Sequence, residues 1–112
     1  MIYSVYVIEL DEEFAETKKA KVANPYRNPD KPCVYVGYTS KTPEYRFNQH
    51  MSGSTGKKGY KLCSNVVYKY GIRLRPRLYE KYNPIPTKKD ALEMEVFLAE
   101  RLRKRGYTVW QK

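Results

Sequence analysis

Cysteine and histidine are scarce in this chain: Cys33, Cys63 and His50 are all it has of either. Two cysteines are too few for a disulfide scaffold, and with His50 they offer at most three side-chain ligands without metal-site spacing. We therefore expect free thiols and a reducing, cytoplasmic compartment. Long apolar runs are missing too. Stretches such as Ser4 to Ile8 and Val34 to Val36 fall far short of the roughly 20 residues a membrane span needs, so no membrane partner is expected. No basic segment followed by an apolar run stands at the beginning, so no secretory signal is expected there. There is no internal repeat. Acid is the other shortage: 12 Asp+Glu against 22 Lys+Arg give a net charge of +10. The imbalance is local. Residues 1–32 are nearly neutral at −1, whereas residues 33–112 hold six acids against seventeen bases and reach +11. Such a field favours a polyanion, nucleic acid above all.

What is present fits one folded domain. The 112 residues are 41% hydrophobic and 14% aromatic, which excludes disorder of the whole chain and supports one two-layered core. Ile2 to Leu10, rich in Ile, Val and Tyr, predicts a strand. Asp11 to Pro32 is polar and broken by Pro25, Pro29 and Pro32, a long connection with a helical turn around Glu12 to Lys19. Connections above about 12–15 residues are uncommon and usually functional or mobile. Cys33 to Tyr38 is a second strand. Thr42-Pro43 caps a helix reaching Met51. Ser52 to Lys61, with three glycines and three lysines, predicts a flexible basic loop. Ser64 caps a short helix stopped by Gly71. Ile72 to Tyr82 predicts a strand with a basic face, interrupted or edged at Pro76. Thr87 with Asp90 opens a helix that ends near Arg105, and Tyr107 to Trp110 closes the chain as a strand. The order β-β-α-α-β-α-β implies an α+β fold, a small, mostly antiparallel sheet flanked by helices.

Three constellations carry chemistry. On the long helix, at about 100° per residue from Ala91, Leu98, Leu102, Ala99, Leu92 and Val96 form one apolar arc, and Glu95 falls inside it near 40°. A carboxylate turned toward a core or cleft edge is costly unless paired or metal-bound. Two readings stay open: a salt bridge to one of the arginines, or a functional carboxylate, most naturally a Mg²⁺ ligand. Arg46 and His50, four apart on a helix, share a face and offer donors to a phosphate; a solvated helix face is the plain alternative. Tyr6 and Tyr35 sit mid-strand, where a cross-strand packing pair would also account for them.

In order, the stretches Ser4-Val5-Tyr6 and Val34-Tyr35-Val36-Gly37-Tyr38-Thr39-Ser40, then Arg46, His50 and Glu95, resemble the GIY-YIG nuclease superfamily. The resemblance runs over nearly the whole chain and implies a single nuclease domain, residues 1–112, with an insertion at about 11–32. There are departures. Serine replaces the glycine of the first motif, the link between the motifs is long, and no asparagine follows Asn83. The resemblance implies a Mg²⁺- (or Mn²⁺-) dependent endonuclease that hydrolyses DNA phosphodiesters by a one-metal mechanism. Glu95 would be the metal ligand, Tyr35 the general base and Tyr6 a contact to phosphate or water. Arg46 would stabilise charge on the phosphate, and His50 would hold a phosphate or shuttle a proton. Lys41, Lys57, Lys58 and Lys61 and the row Arg73, Arg75, Arg77 would bind the DNA backbone. A non-catalytic nucleic-acid-binding module on the same scaffold is the alternative, and a subunit facing a protein through residues 11–32 is a third. At 112 residues no added DNA-reading domain is expected. Low specificity, a homodimer or a targeting partner protein would each meet that lack. Membership in repair, restriction or mobile-element systems stays open.

Overall fold

A computed structural model describes residues 2–53 and 64–111. Its eight regular elements are β1 (Ser4–Leu10), α1 (Lys18–Ala23), β2 (Cys33–Thr39), α2 (Pro43–Ser52), α3 (Asn65–Tyr70), β3 (Gly71–Leu74), α4 (Lys88–Lys104) and β4 (Thr108–Gln111). The four strands make one mixed sheet in the order β3-β1-β2-β4, flanked by helices. β1 pairs antiparallel with β2 and β3, and β2 pairs parallel with β4. The fold is α+β, with two of three pairings antiparallel. Cys33 is a free, buried thiol; Cys63 lies outside the described residues. Among the described residues no helix is long and apolar enough to cross a membrane.

Side-chain caps set the helix starts. Thr42, Ser64 and Thr87 accept from the backbone N–H groups of Tyr45, Val67 and Asp90, filling donors that a helix start leaves open. Gly53 closes α2 with φ 68°, a left-handed position that suits glycine.

Three expectations change. The strand expected over Ile72 to Tyr82 stops at Leu74, and short 3-10 turns follow at Pro76–Leu78 and Glu80–Tyr82. Proline fixes φ and lacks the N–H a ladder needs, so the strand breaks at Pro76. The connection at 11–32 is organised rather than loose. A 3-10 turn at Glu12–Glu16 buries Phe14 and Ala15, and α1 buries Ala20. Asn24 then accepts from the Val109 N–H at 2.8 Å and donates to the Val109 carbonyl at 2.9 Å. Its amide thereby completes the outer edge of β4, which would otherwise stand open for pairing. Asn83 does the same for Val5 at the start of β1, with both bonds at 2.9 Å. Finally, the buried stripe of α4 is narrower than the apolar arc. Ala91, Glu95, Leu98, Ala99 and Leu102 are buried, whereas Leu92 and Val96 are 43% and 46% exposed. Only one side of the arc, from Leu98 round to Ala99, meets the sheet, and Glu95 lies within that side.

Candidate active site

The register of β1 against β2 brings the two tyrosines together. Tyr6 lies opposite Gly37 and Ile8 opposite Tyr35. Directly opposed residues share a face of the sheet, so Tyr6 and Tyr35 are diagonal neighbours on one face. Their ring centroids are 6.3 Å apart, and both are nearly buried. Gly37 makes this possible. A Cβ there would lie 2.5 Å from Tyr6 Oη and 3.1 Å from Tyr35 Cε1. The missing side chain is the space the Tyr6 hydroxyl occupies.

His50 stands behind the tyrosines. It is completely buried, so it does not present a free face to a phosphate as its spacing from Arg46 suggested. The Ser64 N–H donates to His50 Nδ1 at 2.8 Å, which places the ring proton on Nε2. Nε2–H then donates to Tyr6 Oη at 3.0 Å. Burial, helped by the Arg46 charge, lowers the imidazole pKa to about 4, so the ring is neutral near pH 7. Both nitrogens are engaged and no positive charge remains for a phosphate. The geometry makes His50 a holder of the Tyr6 hydroxyl, not a second cation.

With its oxygen already accepting from His50, the Tyr6 hydroxyl is left to donate its own proton. Tyr35 receives hydrogen bonds from Ser64 and Tyr6 that lower its pKa, although burial, the largest influence, raises it overall. The Arg46 charge also pulls it down, and Glu95 pushes it up. Tyr6 is raised more strongly by burial and then by Tyr35, with Arg46 opposing. Arg46 opposes that rise in Tyr6 by a hydrogen bond as well as by its charge, and of the two phenols Tyr35 is the less strongly raised. Arg46 is steered by Gln49, whose Oε1 accepts from Nη1 at 3.0 Å.

These groups open on one groove with two lobes that share Tyr35, Thr39, Ser40 and Arg46. One lobe, about 550 Å³, contains Tyr6, Gly37, Lys88 and Glu95. The other, about 680 Å³, runs past Lys41, Gln49 and Ser64 to Trp110. Tyr6, Tyr35, Arg46 and Glu95 thus meet at one lobe, with His50 directly behind. Glu95 is 6% exposed. Lys88, Leu92 and Glu95 follow an i, i+4, i+7 stripe of α4 that lines the lobe.

The chemistry of the donor set bears on which metal the residues would suit. Among the described residues no three His, Cys, Asp or Glu side chains cluster, and the single histidine is occupied on both nitrogens. Zinc, which prefers nitrogen and sulfur, has no ligand set among the described residues. The oxygens of Glu95 and the tyrosines suit a hard cation. Mg²⁺ is commonly held by one or two carboxylates, with water and substrate phosphate completing its shell. A Mg²⁺ or Mn²⁺ ion bound mainly through Glu95 fits the residues present.

The expected DNA-binding residues divide. Lys41 lines the larger lobe. Lys57, Lys58 and Lys61 lie outside the described residues. Arg73, Arg75 and Arg77 surround a separate hollow on the edge strand, away from the lining of both lobes. Arg73 Nε and Arg75 Nη1 both lie on Glu9 Oε1, at 3.2 and 2.9 Å, so two of the three are already paired. Sequence reasoning missed Ser64, Gln49, Lys88, Lys19 and Trp110 as site residues. Lys88 could have been found from its helical phase with Glu95. The Ser64–His50 contact joins residues fourteen apart, and no periodicity signals it.

The GIY-YIG catalytic domain model matches residues 25–108 of the 112. The match contains Tyr35, Gly37, Arg46, His50, Ser64 and Glu95, and begins after Tyr6. No curated protein and no solved structure gives a significant match.

Proposed function

This chain belongs to the GIY-YIG family, a family of nucleases, and we propose that it is a metal-dependent endonuclease cutting DNA phosphodiester bonds. The chain acts as a single nuclease domain stiffened by the insertion at 11–32. The observation that carries the reading is the convergence of Tyr6, Tyr35, Arg46 and Glu95 on one groove lobe. A non-catalytic binder needs the basic groove but not a buried carboxylate beside two phenols.

Glu95 holds the divalent cation, Mg²⁺ or Mn²⁺, which when bound polarises the scissile phosphate and offsets its charge. Tyr35 Oη takes a proton from the attacking water as the water oxygen adds to phosphorus and the bond to the leaving sugar oxygen breaks. Hydrogen bonds from Tyr6 and Ser64, with the Arg46 charge, favour the phenolate that this step requires. A free phenol near pKa 10 is otherwise a poor base at neutral pH. The Arg46 guanidinium faces the phosphate oxygens where negative charge grows. Tyr6, locked by His50, donates its one proton to Tyr35 and orients it. Lys88 and Lys41 contact flanking phosphates.

The test is incubation of the protein with plain, flapped and branched DNA in Mg²⁺, comparing wild type with Glu95→Gln. Cleavage that disappears in Glu95→Gln while DNA binding persists is expected. Intact cleavage with lowered stability would return Glu95 to a structural salt bridge.

A further inference from the structure

The larger lobe extends well beyond the groups that the chemistry needs. It reaches from Tyr35 across to Trp110, which is the register partner of Tyr35 in the parallel β2–β4 pair. Neighbouring strands lie about 4.8 Å apart, so the indole belongs to the strand next to the proposed base. Trp110 is braced by the edge of Phe14, with ring centroids 6.2 Å apart, and carries Lys19 Nζ 5.5 Å from its ring centroid. A second aromatic in the same lobe repeats the arrangement. Tyr45 is 50% exposed, and Lys41 Nζ lies 5.9 Å from its ring centroid. Among the described residues no Asp or Glu lines this lobe; the rest of the described lining is hydroxyl, amide, Val66 and Arg46.

We infer that this lobe holds an unpaired stretch of the DNA strand next to the scissile phosphate, which makes DNA with a single-stranded tail or flap the preferred substrate. The inference rests on the nuclease reading of the site. Aromatic faces recognise base faces, and in a duplex those faces are covered by neighbouring bases. A duplex offers protein its phosphates and base edges instead. An unstacked base can lie on an aromatic ring beside a cationic track, the way single strands are held. Trp110 and Tyr45 supply the rings. Lys19 and Lys41 move from ring to phosphate, exchanging a cation–π contact for a charge pair. Lys19 comes from α1, so the insertion completes one wall of the substrate channel.

Trp110 is the only tryptophan in the chain, so its fluorescence reports on this lobe alone. The wild-type protein is titrated, in chelator to prevent cleavage, with an oligothymidine strand and with a blunt hairpin of equal phosphate number. The strand should quench the indole to saturation and the hairpin should not. Trp110→Leu should weaken binding of the strand about 5- to 150-fold and binding of the hairpin by less than about twofold. Tyr45→Ala, at a half-exposed position, should lose strand binding in the same direction and serves if Trp110→Leu fails to fold. Equal quenching by strand and hairpin, or variants that keep wild-type discrimination, would overturn the inference. In Mg²⁺, blunt duplex cut as fast as a flap by wild type and both variants would overturn it too, and leave the nuclease reading standing. Quenching by the strand with no DNA cut under any condition would sink the nuclease reading while keeping the occupant of the lobe.

Discussion

Acid should expose the buried histidine. His50 is the only histidine in the chain, has no exposed surface and carries a pKa near 4 against about 6.5 when unfolded. Between those two values the unfolded chain binds a proton that the folded chain refuses. Stability therefore rises with pH through this window and is lost as pH falls from about 6.5 toward 4. The two and a half pH units correspond to about 3 kcal/mol, at most roughly 1.4 kcal/mol per unit. Carboxylates titrate in the lower part of the same range, so wild type alone is not decisive. The reference is His50→Gln, which removes the titrating ring and keeps a side-chain donor and acceptor. Urea unfolding of both proteins at pH 7, 6, 5 and 4 gives two curves. Their difference isolates the ring, because the carboxylates are common to both. Wild type should lose about 3 kcal/mol relative to His50→Gln between pH 7 and 4. A flat difference, or one of opposite sign, would refute the neutral, doubly bonded imidazole and with it the fixed Tyr6 hydroxyl.

Other outcomes follow from the same site. Tyr35→Phe should cut single-turnover cleavage by about 10²-fold while costing only about 1 kcal/mol in a thermal melt; cleavage at wild-type speed would reduce the tyrosines to a packing pair. Because burial raises the Tyr35 phenol above 10, the cleavage rate should climb with pH, approaching tenfold per unit between about pH 6 and 9, and a flat profile would remove the phenolate from the mechanism. Gly37→Ala places a methyl 2.5 Å from Tyr6 Oη, so it should cost about 1–3 kcal/mol and abolish cleavage. On a Tyr6→Ala background, itself destabilised by the cavity it leaves, the further penalty of Gly37→Ala measured by urea unfolding should largely vanish and cleavage should stay dead, and an undiminished penalty would place the strain elsewhere.

The sequence made some of this legible for a physical reason. Periodicity reports what one element does against the core, so the helical phase of Glu95 and the caps at Thr42, Ser64 and Thr87 could be read locally. Contacts between elements leave no such trace. Arg46 and His50 looked equivalent because they share a helix face, yet β1 and the start of α3 cover His50. The arginines after Ile72 looked like a DNA-facing row because alternation was assumed to continue past Pro76. The carboxylate that holds Arg73 and Arg75 belongs to Glu9 on β1, paired alongside.

The departures from the family pattern gain an explanation from the same register. The first motif carries serine instead of glycine at Ser4, which lies opposite Thr39 near the end of the β1–β2 ladder. Crowding occurs two pairs further in, where Tyr6 lies opposite Gly37. A side chain at Ser4 therefore leaves the Tyr6 hydroxyl undisturbed, whereas one at Gly37 would displace it. The long link between the motifs has a comparable logic. It buries Phe14 against Trp110, brings Lys19 over the same ring and sends Asn24 to the outer edge of β4. Those contacts fix β4, whose parallel pairing sets Trp110 beside Tyr35. The segment 11–32 thus acts on the larger lobe through the strand it braces. Shortening it should disturb the lobe at Trp110 before it disturbs the Tyr6–His50 contact on the far side of β2.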